Sequence, residues 1–244
     1  MTANRDMTDM KVCILAGGLG KRLGSVTANI PKPMVLVDGQ PFLLRQMEHF
    51  ASLGFDRFVL AVGHLWEQIR DHFGDGSRFG WQVEYSVEPQ PLDTGGAALW
   101  AQPLWGERVL VANGDTHLPY DWRAMVAAHS ATDAPVTMAL VHQDDSARFG
   151  KVLVRDGEVI GFEEKTPHAG PGWINAGVYV LEREALASRQ RGQAFSLERD
   201  IFPSLTGRIA AYPCDGPFVD IGTPQSLDAF RRNCGLHQEE RISQ

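Results

Sequence analysis

Residues able to hold a phosphate chain are concentrated in one short stretch near the start of the sequence. An apolar run ends in three glycines, and two basic residues follow directly. The residues concerned are Gly17, Gly18, Gly20, Lys21 and Arg22. Glycines let the backbone turn tightly and bring its N–H groups close to a ligand, while basic side chains add positive charge. The stretch therefore predicts a phosphate-binding loop.

The charge of this region sets it apart from the rest of the chain. Residues 10–37 include four basic residues and no acidic one, whereas the 244-residue chain has a net charge of −7. Lys32, within Pro-Lys-Pro, is one of the four. Such a concentration of positive charge favours a binding loop over a plain turn.

Two common phosphate-binding loops do not fit the spacing. A P-loop needs glycine at the position of Leu15 and a hydroxyl residue at that of Arg22. A dinucleotide-binding fingerprint needs glycine where Leu23 stands. The loop must belong to another class.

Two acidic residues could bind a metal ion near this loop. Asp115, in Asn113-Gly114-Asp115, follows a predicted buried strand and would lie where Mg²⁺ could meet a triphosphate. The alternative is that Asp115 caps the next helix. Asp220, in Asp-Ile-Gly-Thr, would alone be an ordinary turn residue.

The order of predicted elements indicates an α/β fold with one large domain, 1–244. Its central sheet should be mixed but mostly parallel, with helices on both faces and a Rossmann-like nucleotide-binding core at 10–142. Ligands bind at the carboxyl ends of strands in such sheets. Predicted strands are 12–16, 58–62, 81–87 and 109–112, and predicted helices are 41–52, 64–73, 94–101 and 121–130.

The pattern changes to hairpins in the second half. Strands are predicted at 136–141, 151–154, 159–163 and 174–181, with a tight turn at Asp156-Gly157. These indicate a small hairpin-rich lid at 143–180, followed by a C-terminal part at 181–244 that carries Asp220.

The loop and the Pro-Lys-Pro sequence behind it resemble the signature of the sugar-1-phosphate nucleotidyltransferases, L-A-G-G-x-G-T-R-L followed by P-K-P. Lys21 replaces the usual Thr. The resemblance implies that Arg22 contacts the leaving pyrophosphate and Lys32 the phosphates. It also implies nucleotide binding by the loop residues Leu15, Ala16, Gly17, Gly18, Gly20, Lys21 and Arg22.

The resemblance extends to the segment expected to bind the nucleotide base and to the two aspartates. Residues 88–97 resemble E-x-x-P-L-G-T-G/A-G-A, with Asp93 in place of the usual Gly, and a carboxylate at Glu88 could accept the N1/N2 donors of guanine. The resemblance implies Mg²⁺ as cofactor on Asp115 and Asp220. Further nucleotide-binding residues would be Glu88, Asp93, Thr94, Gly95, Asn113 and Gly114.

The lid resembles the sugar-binding part of the same family. Phe162-Glu-Glu-Lys165 resembles F-E-E-K-P, although Thr166 displaces the proline, and 174–179 resembles N-x-G-x-Y. The implied sugar phosphate site is Gly150, Glu164, Lys165, Asn175 and Gly177. The implied catalytic residues are Arg22, Lys32, Asp115 and Lys165.

The implied reaction is transfer of a nucleotidyl group from a nucleoside triphosphate to a sugar 1-phosphate. Within the family the motifs most resemble members that use GTP and D-glycero-α-D-manno-heptose 1-phosphate. Alternatives are UTP with N-acetylmuramate 1-phosphate and GTP with mannose 1-phosphate. A relative that binds nucleotide sugars without catalysis is the alternative from another class.

Bulk properties limit location and partners. Three cysteines without metal spacing, and a start without the apolar core of a signal peptide, favour a cytoplasmic protein. No apolar run approaches the length of a membrane span, and an acidic chain without a basic stripe argues against nucleic acid. Trp100 and Trp105 fit an interface between copies of the chain as well as they fit the core, so a homo-oligomer is one of the alternatives.

Overall fold

A central mixed β-sheet forms the core of the described part of the chain, and α-helices pack on it. The computed structural model describes residues 10–167 and 170–232. Its strands are β1 (Val12–Leu15), β2 (Leu36–Val37), β3 (Gln40–Pro41), β4 (Arg57–Val62), β5 (Gln82–Val87), β6 (Arg108–Asn113), β7 (Thr116–His117), β8 (Val136–Gln143), β9 (Lys151–Arg155), β10 (Glu158–Glu163), β11 (Gly172–Glu182), β12 (Ile209–Cys214) and β13 (Val219–Asp220). The α-helices that lie wholly within these residues are α1 (Phe42–Ser52), α2 (Trp66–Phe73), α3 (Asp93–Ala101) and α4 (Trp122–His129). Residues 224–232, at the end of the described part, are helical as well.

The sheet confirms the predicted fold class. Its order within the described residues is β5-β4-β1-β6-β11-β8-β12-β10-β9. The first four strands are parallel, β11 runs antiparallel to β6 and β8, and β12 is parallel to β8. The four parallel strands therefore end at one edge.

Helices cover both faces of this sheet, and alternate strand residues supply the two cores. Val12 and Ile14 of β1 pack in the cluster that contains apolar side chains of α1, α2 and α4. Cys13 points the other way, into the cluster that contains Ala97 to Leu99 of α3. Strands buried on both faces require continuous apolar runs, as the sequence of β1, β4 and β6 shows.

Strand β12 was not among the strands predicted from the sequence, and it contains Pro213, a residue type that is rare in a strand interior. Ala211 donates its N–H to Gly157 O at 2.8 Å, on the side that faces β10. Pro213 points to the same side two residues later, beyond the single residue pair that joins the two strands, Glu158 with Ala210. Its missing N–H therefore removes no hydrogen bond from the sheet.

The hairpin β9–β10 forms as expected, with Asp156 and Gly157 in its turn at φ of 52° and 79°. It joins the main sheet through β12. The division into a core at 10–142, a lid at 143–180 and a C-terminal part stays a prediction.

The cysteines and tryptophans that the sequence left open are mostly internal. Cys13 and Cys214 are buried and free, and burial raises the pKa of each thiol to about 12. Cys234 lies outside the described residues. Trp105 is buried, and Trp100 is covered by the guanidinium of Arg191, 4.0 Å from its ring centroid. No described helix is long and apolar enough to cross a membrane.

Acidification below about pH 6.5 should destabilise the fold through His129. Its buried ring lies 2.7 Å from Thr137 Oγ1 and 3.0 Å from Glu182 Oε1. Burial lowers the pKa of His129 below its ordinary 6.5 by more than the Glu182 hydrogen bond raises it. As the pH falls, the unfolded chain therefore binds this proton before the folded chain does. The contribution of His129 to the free energy of unfolding is full above about pH 6.5 and decreases below it.

Urea unfolding between pH 5 and 7.5 measures this dependence. One group contributes a slope of at most about 1.4 kcal/mol per pH unit. His129→Gln should flatten the curve, and the same change at exposed His64 should leave the wild-type slope. An unchanged slope in the His129 variant would contradict the assignment.

Candidate active site

A cleft of about 880 Å³ opens at the carboxyl ends of β1 and β6. It is the place where the parallel half of the sheet meets the glycine-rich loop. Most of the residues predicted for the nucleotide line it. These are Leu15, Ala16, Gly17, Gly18, Gly20, Lys21, Arg22, Glu88, Asp93, Thr94, Asn113 and Gly114, and the predicted catalytic residues Lys32 and Asp115 line it too.

Close backbone approach explains two of the glycines. A Cβ on Gly114 would lie 2.7 Å from Leu15 O, to which Gly114 also donates its N–H at 3.0 Å. A Cβ on Gly17 would collide with the carboxylate of Glu88. Gly114 therefore packs directly on the backbone at the end of β1, and a side chain at Gly17 would require Glu88 to move.

A small apolar cluster anchors the turn that follows the glycine-rich loop. Leu23, Phe42 and Ile221 are buried in it together. Leu23 belongs to the 3-10 turn Lys21–Thr27 that follows the loop, and Gly20 before that turn has φ of 63°. The cluster therefore joins the loop to the C-terminal part of the chain.

The two predicted metal ligands meet through a short ladder. Strand β13 pairs antiparallel with β7, with Asp220 opposite Thr116. Ile221 donates its N–H to Asp115 O at 2.9 Å. Two carboxylates distant in sequence are thereby placed on adjoining backbone segments.

Each of these carboxylates has a basic partner. Lys32, 8% exposed, makes an ion pair with Asp115 Oδ2. Arg148 Nη2 lies 3.5 Å from Asp220 Oδ2. The guanidinium of Arg22 is also near, since a Cβ on Gly222 would lie 3.2 Å from its Nη2. Arg22, Lys32 and Asp115 line the cleft, whereas Asp220 and Arg148 lie outside its lining, beside Gly222 and Arg22.

The segment before α3, which is predicted to contact the nucleotide base, forms one side of the cleft, here called the base side. Glu88 is half-buried, and its Oε2 accepts the N–H of Leu92 at 2.9 Å. The pKa of the Glu88 carboxyl is raised, chiefly by burial. The hydrogen bond from the Leu92 N–H offsets part of this rise, and the negative charge of Asp93 adds to it. Asp93 has φ of 60°, a conformation that Asp adopts more readily than most residues, and it pairs with Arg199. Asp can therefore stand where the family usually has Gly.

Gly95 differs from the expectation that it lies against the nucleotide. It does not line the cleft, and its N–H donates to Phe195 O at 2.9 Å. A Cβ there would overlap the Phe195 ring. Close packing of α3 on the segment around Phe195 explains this glycine.

The predicted sugar residues lie outside the lining of the cleft. Gly150 has φ of 78°, and a Cβ on it would lie 2.7 Å from Glu163 O, beside exposed Glu164 and Lys165. Gly177 has φ of 74°, and a Cβ on it would lie 2.8 Å from Asn113 Nδ2. The strand that carries Gly177 therefore adjoins the nucleotide side.

Asn175 and Gly177 lie within an irregularity of β11. The register of β11 against β8 shifts between Asn175 and Tyr179. Such bulges re-aim side chains and are frequent beside active sites.

Several residues that line the cleft were not among the predicted site residues. Pro91, Leu92 and Gly222 belong to segments that were singled out, but Ala194 and Arg199 belong to none. Their position depends on the long return of the chain after β11. The unanticipated lining residues are Leu19, Pro33, Pro91, Leu92, Ala97, Ala194, Arg199 and Gly222.

Comparison with known proteins decides the family. The sequence model of the nucleotidyl transferase family matches residues 11–234. The chain belongs to the nucleotidyl transferase family. The resemblance found in the sequence is thus confirmed.

Relatives of this nucleotidyltransferase match it over most of its length. The D-glycero-α-D-manno-heptose 1-phosphate guanylyltransferase of Aneurinibacillus thermoaerophilus is 37% identical, over 91% of this chain and 96% of that protein. The enzyme of that name in Campylobacter jejuni is 33% identical, over 92% and 100%. Mannose-1-phosphate guanylyltransferase of Mycobacterium tuberculosis is 35% identical, over 88% of this chain and 61% of that protein.

A solved structure has the same fold. The crystal structure of HddC from Yersinia pseudotuberculosis complexed with GMP-PN has a TM-score of 0.81 and 34% sequence identity. The match covers 92% of this chain and 99% of that one.

The nucleotidyltransferase is an enzyme that transfers a nucleotidyl group from a nucleoside triphosphate to a sugar 1-phosphate and yields a nucleotide sugar. Enzymes of its family generally use a divalent metal ion. Among the described residues, no three His, Cys, Asp or Glu side chains cluster to hold a metal by themselves.

Gly114→Ala should destabilise the nucleotidyltransferase by about 1–3 kcal/mol, because the added Cβ meets backbone that must shift. It should also weaken nucleotide binding, since Gly114 and Leu15 both line the cleft. Gly106→Ala is the matched control, because nothing lies within 4 Å of a Cβ there. Denaturant unfolding and nucleotide titration measure both effects, and equal behaviour of the two variants would contradict the steric account.

Proposed function

We propose that this nucleotidyltransferase uses GTP and D-glycero-α-D-manno-heptose 1-phosphate, with Mg²⁺, and forms GDP-heptose and pyrophosphate. One observation carries the choice of substrates. The two relatives named for heptose 1-phosphate are matched over 96% and 100% of their length, whereas the mannose relative is matched over 61%.

The base side of the cleft is compatible with guanine. Glu88 uses Oε2 to accept the Leu92 N–H, which fixes the orientation of its carboxylate. Its other oxygen, Oε1, lies beside Gly17. An ionised carboxylate can accept the N1 and N2 donors that guanine presents, while adenine and uracil lack that donor pair. Glu88 would therefore select guanine.

The donor set fits Mg²⁺. This ion prefers oxygen ligands and usually binds through one or two carboxylates together with substrate phosphates and waters. Asp115 and Asp220 supply two carboxylates on paired segments beside the triphosphate loop. When bound there, the ion would offset the negative charge of the phosphates.

The reaction exchanges one P–O bond for another. An oxygen of the sugar 1-phosphate bonds to the α-phosphorus of GTP, while the bond from that phosphorus to the oxygen bridging to the β-phosphate breaks and pyrophosphate leaves. A phosphate monoester has a second pKa of about 6, so the nucleophile is already ionised at neutral pH. The protein needs to align two anions and stabilise charge rather than remove a proton.

Basic residues would do most of this alignment. Arg22, at the end of the cleft near Gly222, would contact the leaving pyrophosphate. Lys32 would contact the triphosphate, since it lies beside Asp115 within the same cleft. Lys165 is exposed at the end of β10 and would hold the incoming phosphate.

The sugar would occupy the side of the cleft formed by β11 and the end of β10. Glu164 would accept hydrogen bonds from sugar hydroxyls, and Asn175 would orient a further hydroxyl. Gly150 and Gly177, both with positive φ, leave room for the ring to approach the backbone.

Pyrophosphate release tests the assignment. GTP, ATP, UTP, CTP and dTTP are each combined with the 1-phosphates of D-glycero-α-D-manno-heptose, mannose, glucose and N-acetylmuramate, with Mg²⁺ present. GTP with the heptose should give the highest kcat/KM, about 10-fold or more above GTP with mannose. Chelation of the metal should abolish release.

Three other outcomes would contradict the proposal. GTP with mannose 1-phosphate as the best pair would favour the second candidate, which the 35% identity to the Mycobacterium enzyme supports. UTP with N-acetylmuramate 1-phosphate would move the activity to a different nucleotide. Nucleotide binding without release for any pair would indicate a binding protein.

A further inference from the structure

A single turn of π-helix, Leu197–Ile201, lies against the base side of the cleft. Ser196 fixes its start: Oγ accepts the N–H groups of Glu198 and Arg199, each at 3.2 Å. The Ser196 N–H donates to Asp200 Oδ2 at 2.7 Å. Single π turns are frequent at functional sites, and this one places Glu198 between two other parts of the chain.

One oxygen of Glu198 holds the nucleotide side. Thr94 Oγ1 donates to Glu198 Oε2 at 2.6 Å, and Ser196 Oγ donates to the same oxygen at 2.7 Å. Thr94 Oγ1 also accepts the N–H of Leu197 at 2.9 Å. The Thr94 hydroxyl is thus used by the π turn, although Thr94 lines the cleft. The first turn of α3 is fixed by this contact.

The other oxygen of Glu198 holds the sugar side. Tyr179 OH donates to Glu198 Oε1 at 3.3 Å and accepts from Asn175 Nδ2 at 2.8 Å. Asn175 Oδ1 in turn accepts the N–H of Gly177 at 2.8 Å. The irregular part of β11 is therefore tied to Glu198 through Tyr179.

The central phenol of this chain of hydrogen bonds stays a donor. Tyr179 is fully buried, and burial, followed by the charge of Glu198, raises its pKa well above 10. The phenol therefore keeps its proton at neutral pH and donates it to the carboxylate.

We propose that Glu198 is a positioning residue that holds the nucleotide-binding and the sugar-binding segments in one fixed relation, one carboxylate oxygen on each. The substrates assigned to those segments rest on the proposed function. The role requires two acceptor oxygens, because hydroxyl groups approach from both sides. Glutamine has the same shape but one acceptor oxygen, so it would satisfy one side alone.

The test is whether removing a hydroxyl group on one side of the network raises KM for the substrate that binds on the other side. Thr94→Val removes the hydroxyl on the nucleotide side, and Tyr179→Phe removes the one on the sugar side. Thr94→Val should raise KM for the heptose 1-phosphate, and Tyr179→Phe should raise KM for GTP, each by about 2–10-fold. Glu198→Ala should raise both KM values by about 10-fold or more.

Combined variants separate positioning from general loss of stability. In the Glu198→Ala background, adding Thr94→Val should change KM for the heptose 1-phosphate, and adding Tyr179→Phe should change KM for GTP, by no more than about 2-fold, because each effect on the opposite substrate acts through the same carboxylate. Glu198→Gln, which keeps the volume, should raise one KM more than the other and covers the case in which Glu198→Ala does not fold. Tyr212→Phe in β12 and Glu184→Ala on the surface are controls that should match the wild type.

Two failures are distinguishable. A wild-type enzyme inactive with GTP and the heptose 1-phosphate would overturn the proposed substrates, and the variants are then compared with the pair that it does use. If Thr94→Val alters only the nucleotide KM and Tyr179→Phe only the sugar phosphate KM with that pair, the two segments are independent. That result would overturn the role of Glu198.

Discussion

The site depends on the pairing of two very short strands, β7 and β13. A ladder of two residues would not persist alone, but the apolar cluster of Leu23, Phe42 and Ile221 packs beside it. The same cluster anchors the turn after the glycine-rich loop. A single set of apolar contacts thus positions the loop and the segment that carries Asp220, while Asp115 follows directly from β6.

Electrostatic balance follows from that arrangement. Lys32 is nearly buried, and a buried ammonium group requires a partner, which Asp115 supplies. Arg148, which is exposed, lies 3.5 Å from Asp220. Two anionic substrates and a cation could enter such a site by exchanging partners, so that no charge is left buried and unpaired.

The sequence predicted the parallel half of the sheet and the cleft better than the remainder. Strands such as β1 and β6 are continuous apolar runs, and the glycine loop has a local signature that survives without its partners. Arg199 and Ala194 could not be predicted, because no local pattern indicates that the segment after β11 returns to α3. Strand β12 was not predicted, and it accommodates Pro213 because its pairing with β10 has ended at that point, which the sequence does not show. Gly95 was placed against the ligand because the pattern cannot distinguish room for a nucleotide from room for the Phe195 ring.

On the proposed function, the β7–β13 pairing would place Asp115 and Asp220 so that they bind one metal ion together. Binding of Mn²⁺, followed by electron paramagnetic resonance in the presence of a GTP analogue with a methylene group between the α- and β-phosphates, measures it directly. The wild type should bind one ion per protein–nucleotide complex, and Asp115→Asn and Asp220→Asn should each weaken binding by about 10-fold or more. Wild-type Mn²⁺ affinity in both variants would contradict the account.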